Sequence, residues 1–411
     1  MKKLLGVTLG IMTALGGFVD LGQIVFTMQA GALFGYGLLW SILLGTAAII
    51  VYMEMCGRVA VVAHEPVFAV VRDRFGFRFG LVVLIASNLL NLATCAAELG
   101  GIAIILQLLT GWDEKLLLLI AAIILGMIVF GFKFQWIERA FGLAGVTMTV
   151  FAVSAAALHP NWHQLARGLI PTLAHSDTKH ALLYWYFAVG IFSALLMEYE
   201  VHFYSSGAIE EDWTTRDLGE NFAVAGFGSF LGAIITTGLL VLGALVFLPR
   251  GIFPNALSTS ILAGAFPFAA KALLLALLGT LACLCGAALE TALSGAYNVC
   301  QFFNLDWGKN LPVKSAPVYT AVWITMITVA FAIGLSGVRP LTLVNISVIF
   351  GMVVMPFTYY PILRVAADKN IMGKHVNGLA DTIVGIIFLG LITIAASAAI
   401  PLMILTQSGE P

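Results

Sequence analysis

Residues Gly16–Gln23 read GGFVDLGQ, and the fold of the chain turns on how they are accommodated. The residues on either side, Leu4–Leu15 and Ile24–Phe34, are mostly apolar. Asp20 and Gln23 therefore fall midway along a stretch long enough to cross a bilayer, which takes about 20 residues as a helix. A carboxylate at that depth costs roughly 2.5–3.5 kcal/mol on insertion scales and survives only beside a cavity or a partner. Gly16, Gly17 and Gly22 weaken a continuous helix at the same place. The reading that reconciles these facts is an interrupted helix. Unwinding frees backbone carbonyls, and lipid tolerates that only where the broken backbone lines a wet or ion-filled site.

The rest of the composition agrees. Of 411 residues, 61% are hydrophobic and 10% charged, with a mean hydropathy of +1.02, a profile that excludes a soluble globular domain. Apolar stretches recur from Leu4 to Leu405 and predict eleven spanning helices, centred near Asp20, Ala48, Leu92, Ala122, Val146, Phe192, Ile235, Leu284, Thr325, Gly351 and Leu391. The expected class is an all-α integral membrane protein without a separate soluble domain. A net charge of -1 leaves no basic footprint for nucleic acid. With the amino terminus taken as cytoplasmic, the 20 Lys and Arg divide 14 inside to 6 outside (Lys115, Arg167, Lys179, Arg250, Lys271 and Arg339), which predicts amino end in and carboxyl end out. The first span carries Asp20 and runs into more membrane without a small-residue cleavage site, so no removable signal peptide is expected. Cys56, Cys95, Cys283, Cys285 and Cys300 lie in or at the edge of spans, which disfavours a disulfide framework.

A second interruption is expected five helices on. The span AVGIFSALLMEYEVHFYSSG (Ala188–Gly207) carries Met197, Glu198, Glu200 and His202 in apolar surroundings. Two disturbed spans at matching places point to inverted repeats with a site at the bilayer midplane. The chain then reads as one transporter domain, with repeat one over about residues 5–158, repeat two over about 181–366 and an added helix over about 381–406. Glu198 and Glu200 have a second reading, at the cytoplasmic end of their helix beside the wet acidic loop Glu210, Glu211, Asp212. Asp20 likewise has a plain alternative, pairing with another buried polar group for structure alone. Glu98 in the third span and Glu290 in the eighth are candidate proton carriers, because burial and a nearby cation move a carboxylate's proton affinity in opposite senses. His159, His163, His175 and His180 crowd one outer loop. His159 and His163 are four apart, but Pro160 between them favours a hydrated loop over a metal pair.

The stretch Asp20–Trp40, DLGQIVFTMQAGALFGYGLLW, resembles the first-helix signature of the Nramp divalent metal transporters: Asp-Pro-Gly-Asn, then Gln-Ala-Gly-Ala, Tyr-Gly-Tyr and Leu-Leu-Trp. Similar segments are LATCAAELGG in the third span, IERAFGLAG and HPNW around the fifth, ALLMEYEVHFYSS in the sixth, and MPFTYYPIL with DKNIMGKHVN around the tenth. The resemblance implies a LeuT-type fold: two inverted five-helix repeats with broken first and sixth helices, plus one trailing helix. It also implies the metal ligands, namely the side chains of Asp20, Gln23 and Met197 and the backbone carbonyls of Gly17 and Ala194. A thioether suits manganese, iron and their neighbours better than magnesium or calcium.

The chain departs from that pattern at informative places. Leu21 replaces Pro, and Gln23 replaces Asn, which carries the amide oxygen one methylene further out. Met-Pro-His becomes Met197, Glu198, Tyr199, removing a helix breaker and a titratable ring. Cys95 stands for an Asp while Glu98 is kept, and Val348 stands for a Gln that helps close over the metal. The expectation is weakened or rerouted proton coupling through Glu98 with Glu198 or Glu200, with Tyr199 and Glu290 as further candidates for moving protons or supporting the ligands. The function so read is a secondary transporter of the plasma (inner) membrane that moves manganese or iron into the cytoplasm by alternating access. No cofactor is expected; the partners are the divalent cation, the lipid bilayer and protons as coupling ion. The alternatives are a magnesium transporter of the same family, which the added acids would suit, and a carrier of organic cations or amino acids with the same fold. A membrane-embedded enzyme would need His and Glu converging within the membrane, and His202 is the one histidine there.

Overall fold

The computed structural model describes residues 19–171 and 177–410, and every regular element among them is helical. The chain crosses through α1 (Leu21–Phe34), α2 (Leu39–Ala63), α3 (Phe77–Thr110), α4 (Glu114–Gly131) and α5 (Arg139–Ala157). Next, α6 (Thr178–Ala194) and α7 (Glu198–Glu210) are two halves of one crossing. The remainder comprises α8 (Leu218–Leu242), α9 (Ala269–Phe303), α10 (Pro317–Leu335), α11 (Pro340–Ala366) and α12 (Leu379–Leu405). Among the described residues ten helices are long and apolar enough to span, with α6 and α7 counted as one, and α1 is a shorter apolar helix. Ten of the eleven expected spans thus have a counterpart of spanning length, and α1 covers the later part of the first. The part of the first span before Val19, including the Gly17 carbonyl, lies outside the described residues.

Short polar side chains and glycine set the helix ends. Asp20 Oδ1 accepts from Gln23 N at 2.7 Å to open α1, Asp113 caps α4 and Asp177 caps α6. Gly111, at φ 73°, closes α3 in the left-handed region. Each cap satisfies backbone groups that a helix end leaves bare. Pro317 and Pro340 stand in the first turns of α10 and α11, where a missing N–H breaks no bond.

Burial separates core helices from lipid-facing ones. In α6–α7, 72% of the apolar window is inside protein, against 28% in α12. The outer face of α12 presents Ile386, Ile387, Ile394 and Ile404 to the surroundings, which suits hydrocarbon, since the helix satisfies its own backbone. At the centre α1 runs beside α8 at backbone distance. A Cβ on Gly31 would stand 2.2 Å from Leu240 O, and one on Gly243 would stand 2.3 Å from Met28 O, so the approach requires both glycines. A π-turn over Gly243–Phe247 continues α8 at this level. The contact fixes α1, which Asp20 opens, against α8.

Candidate functional site

Two extended residues stand where the sequence predicts the interruptions: Asp20, with φ -74° and ψ 175°, at the start of α1, and Met197, with φ -62° and ψ 122°, between α6 and α7. Both are buried. The second break forms without a proline. Ala194 ends α6, and α7 begins at Glu198 with Glu198 and Glu200 in its first turn, where a helix N-terminus favours negative charge. Two tertiary hydrogen bonds tie the flanks of the break to neighbouring helices. Ser193 Oγ donates to Val348 O on α11 at 2.5 Å, and Ser294 Oγ on α9 donates to Tyr199 O at 2.8 Å.

Tyr199 joins the breaks directly, its hydroxyl donating to Asp20 Oδ2 at 3.4 Å. Asp20 is 1% exposed, and no Lys, Arg or His pairs with it among the described residues. The carboxylate thus has dipolar donors and no counter-charge among the described residues, and the buried polar group that the plain alternative calls for is present in Tyr199. Beside it, Glu98 Oε1 accepts from Leu21 N at 3.1 Å while Glu98 Oε2 has no partner. One turn into α1, Gln23 Nε2 donates to Thr236 Oγ1 on α8 at 2.5 Å, and Gln23 Oε1 is left unpaired. Val348 packs over Gly22, where an added Cβ would lie 3.0 Å from Val348 Cγ2. Thus α11 covers the site with a methyl group where the resemblance leads one to expect an amide.

Glu198 and Glu200 are 3% and 0% exposed, which corrects the reading that set them at a wet helix end. They lie at the start of α7, against the break, and the acidic loop lies a full helix away. Glu198 has Ser87 and Tyr52 as neighbours, and Glu200 faces the charges of Glu290 and Asp20. The carboxylate oxygens of Glu198, Glu200 and Glu290 have no hydrogen-bond partner, nor do both amide atoms of Asn91, Asn298 Oδ1, Ser205 Oγ and both ring nitrogens of His202. A buried polar atom left bare costs about 1–3 kcal/mol, so this column along α3, α7 and α9 has hydrogen-bonding capacity suited to water or a cation. Asn91, Asn298, Ser205 and Thr236 escaped the sequence reading. On α9 the signal was present, because Glu290, Ser294, Asn298 and Gln301 recur at helical spacing on one face.

Among the described residues no three His, Cys, Asp or Glu side chains gather as metal ligands. A cation between the breaks would draw instead on one carboxylate, an amide oxygen, a thioether and backbone carbonyls. The outer-loop histidines make no pair on one helix: Asn161 caps Trp162–Arg167, leaving His159 before the helix at φ 53° and His163 within it. His175 lies outside the described residues. The cysteines are free, and Cys95 Sγ donates to Ala288 O at 3.6 Å.

A family model described as "Natural resistance-associated macrophage protein-like" matches residues 10–401. The chain belongs to the Nramp family. Among curated Nramp relatives, the divalent metal cation transporter MntH of Agrobacterium fabrum is 25% identical over 387 residues, covering 89% of this chain and 80% of its own length. MntH of Levilactobacillus brevis is 25% identical over 388 residues, with 90% and 83% covered. The solved Nramp structure of the Eremococcus coleocola manganese transporter superposes with a TM-score of 0.75 at 21% identity, covering 99% of this chain and 87% of that one. A more distant fold relative is MHP1, a nucleobase-cation-symport-1 family transporter, with a TM-score of 0.60 at 16% identity and 98% and 91% covered. The Nramp chain therefore has the LeuT-type fold expected of it.

Proposed function

We propose that this chain carries a divalent metal cation of the manganese or iron class across the plasma membrane into the cytoplasm. The observation that carries the proposal is Asp20, a buried carboxylate at a helix interruption with no basic partner among the described residues. A divalent ion supplies the missing counter-charge, and its attraction is strong where water is largely excluded. The proposed ligands are the side chains of Asp20, Gln23 and Met197 with the carbonyls of Gly17 and Ala194. Gln23 Oε1 is unpaired, and Ala194 O accepts no backbone bond across the break. Relatives named as divalent metal cation and manganese transporters support the cargo, and the Met197 thioether favours a transition metal over magnesium. The same printed names weigh against an enzyme or an organic cation carrier.

Transport proceeds by alternating access, with the repeats over about residues 5–158 and 181–366 rocking about the midplane site. The distribution of Lys and Arg supports an inward amino terminus and an outward carboxyl terminus. Proton coupling is weakened, because Tyr199 and Cys95 stand in place of the expected His and Asp. Any residual coupling runs through Glu98 and the acids Glu198, Glu200 and Glu290. The test is manganese uptake into proteoliposomes by wild type and Asp20→Asn. Saturable uptake that Asp20→Asn abolishes, competed by cold iron and not by amines, supports the proposal. Uptake that persists in Asp20→Asn, or that magnesium outcompetes, contradicts it.

A further inference from the structure

Gln23 can present either end of its amide to the space between the breaks, and only the oxygen end attracts a cation. The side chain cannot make that choice alone, since the two ends have nearly the same shape. We infer that Thr236 on α8 makes it, acting as a positioning residue for the Gln23 oxygen; the inference rests on the proposed role of Gln23 as a ligand.

The hydroxyl hydrogen of Thr236 is committed, because Thr236 Oγ1 donates to Gly232 O, one turn back on α8, at 2.7 Å. What remains on Thr236 Oγ1 is acceptor capacity, and Gln23 Nε2 donates into it at 2.5 Å. Turning the amide over would set Gln23 Oε1 against an oxygen that must break its bond to Gly232 O to offer a hydrogen and would move the NH2 group away from its acceptor. Both residues are buried, at 1% and 0% exposure, which removes the pair from bulk water. The opposite end, Gln23 Oε1, is the atom left without a partner. The pair is held by the frame around it. Gly31 on α1 and Gly243 beyond α8 lock the two helices at backbone contact two turns further along. A hydroxyl that does not itself reach the site thus sets the polarity of a group that does.

A double-mutant cycle on manganese affinity separates this from packing, because coupling appears only when two residues act through each other. Titration calorimetry of purified full-length protein is the readout. Thr236→Val keeps the shape and removes the acceptor, and should weaken manganese binding about tenfold, while Thr236→Ser restores it. In a Gln23→Glu background both ends of the side chain are oxygen, so Thr236→Val should not weaken manganese binding. An equal loss in both backgrounds, or none in the wild-type background, overturns the inference. Should Gln23→Ala leave manganese affinity unchanged, the ligand role of Gln23 falls, a failure distinct from that of Thr236.

Discussion

Tyr199 and Asp20 lie 179 residues apart in sequence, and the hydroxyl of one donates to the carboxylate of the other at 3.4 Å. Through that bond the start of α7 touches the start of α1. Tyr199 stands where the family resemblance leads one to expect a His. A phenol can hold the Asp20 oxygen but does not exchange a proton with solvent at neutral pH.

Tyr199→Phe tests how much the bond contributes. A long hydrogen bond to a carboxylate is worth about 1 kcal/mol, so manganese affinity should change by about fivefold or less. Calorimetry on the purified variant checks this. A loss as large as that of Asp20→Asn would mean that the ring, and not Asp20, organises the site.

Met197→Ala should act on selectivity more than on binding as such. Removing the soft ligand should cost manganese roughly tenfold or more in affinity, about 1.4 kcal/mol, and leave magnesium nearly unchanged. Competition binding with both ions reads the ratio directly, and a parallel loss for the two ions would deny Met197 a ligand's role.

Gly31→Ala should destabilise the protein, because the new methyl group would fall 2.2 Å from Leu240 O. Overpacking of this kind costs about 1–3 kcal/mol or more. Gly126→Ala on α4, where a Cβ meets nothing within 4 Å, is the control and should be close to neutral. Thermal denaturation of the detergent-solubilised variants measures both.

Metal-driven acidification of dye-loaded liposomes should be weak in wild type and absent in Glu98→Gln. Stoichiometric proton entry with each metal ion, surviving Glu98→Gln, would show that coupling follows another route.

The legibility of this chain in its sequence varies with the range of the interaction. The helix start at Asp20 could be read because Asp20, Gln23 and three glycines share eight residues, and an apolar flank turns each polar letter into a question. The interruption of the sixth span was harder. No proline marks it, and the break between Ala194 and Glu198 is held by Ser193 with Val348 and by Ser294 with Tyr199, bonds that no local pattern encodes. Glu198 and Glu200 kept two readings for the same reason: whether they begin a helix or end one depends on where α6 stops. Thr236 was invisible, since a threonine bonded to its own helix looks self-sufficient until α1 is laid beside it. Met197 and Ala194 came from the family pattern and not from the apolar period.

The account's central claim is that a divalent ion sits between the two interruptions, on Asp20 and Met197. Anomalous scattering from crystals grown with manganese addresses it most directly. The prediction is one strong peak within about 2–2.8 Å of both Asp20 Oδ and Met197 Sδ, lost in Asp20→Asn. A peak elsewhere in the protein, with none between Asp20 and Met197 at saturating manganese, would contradict the claim.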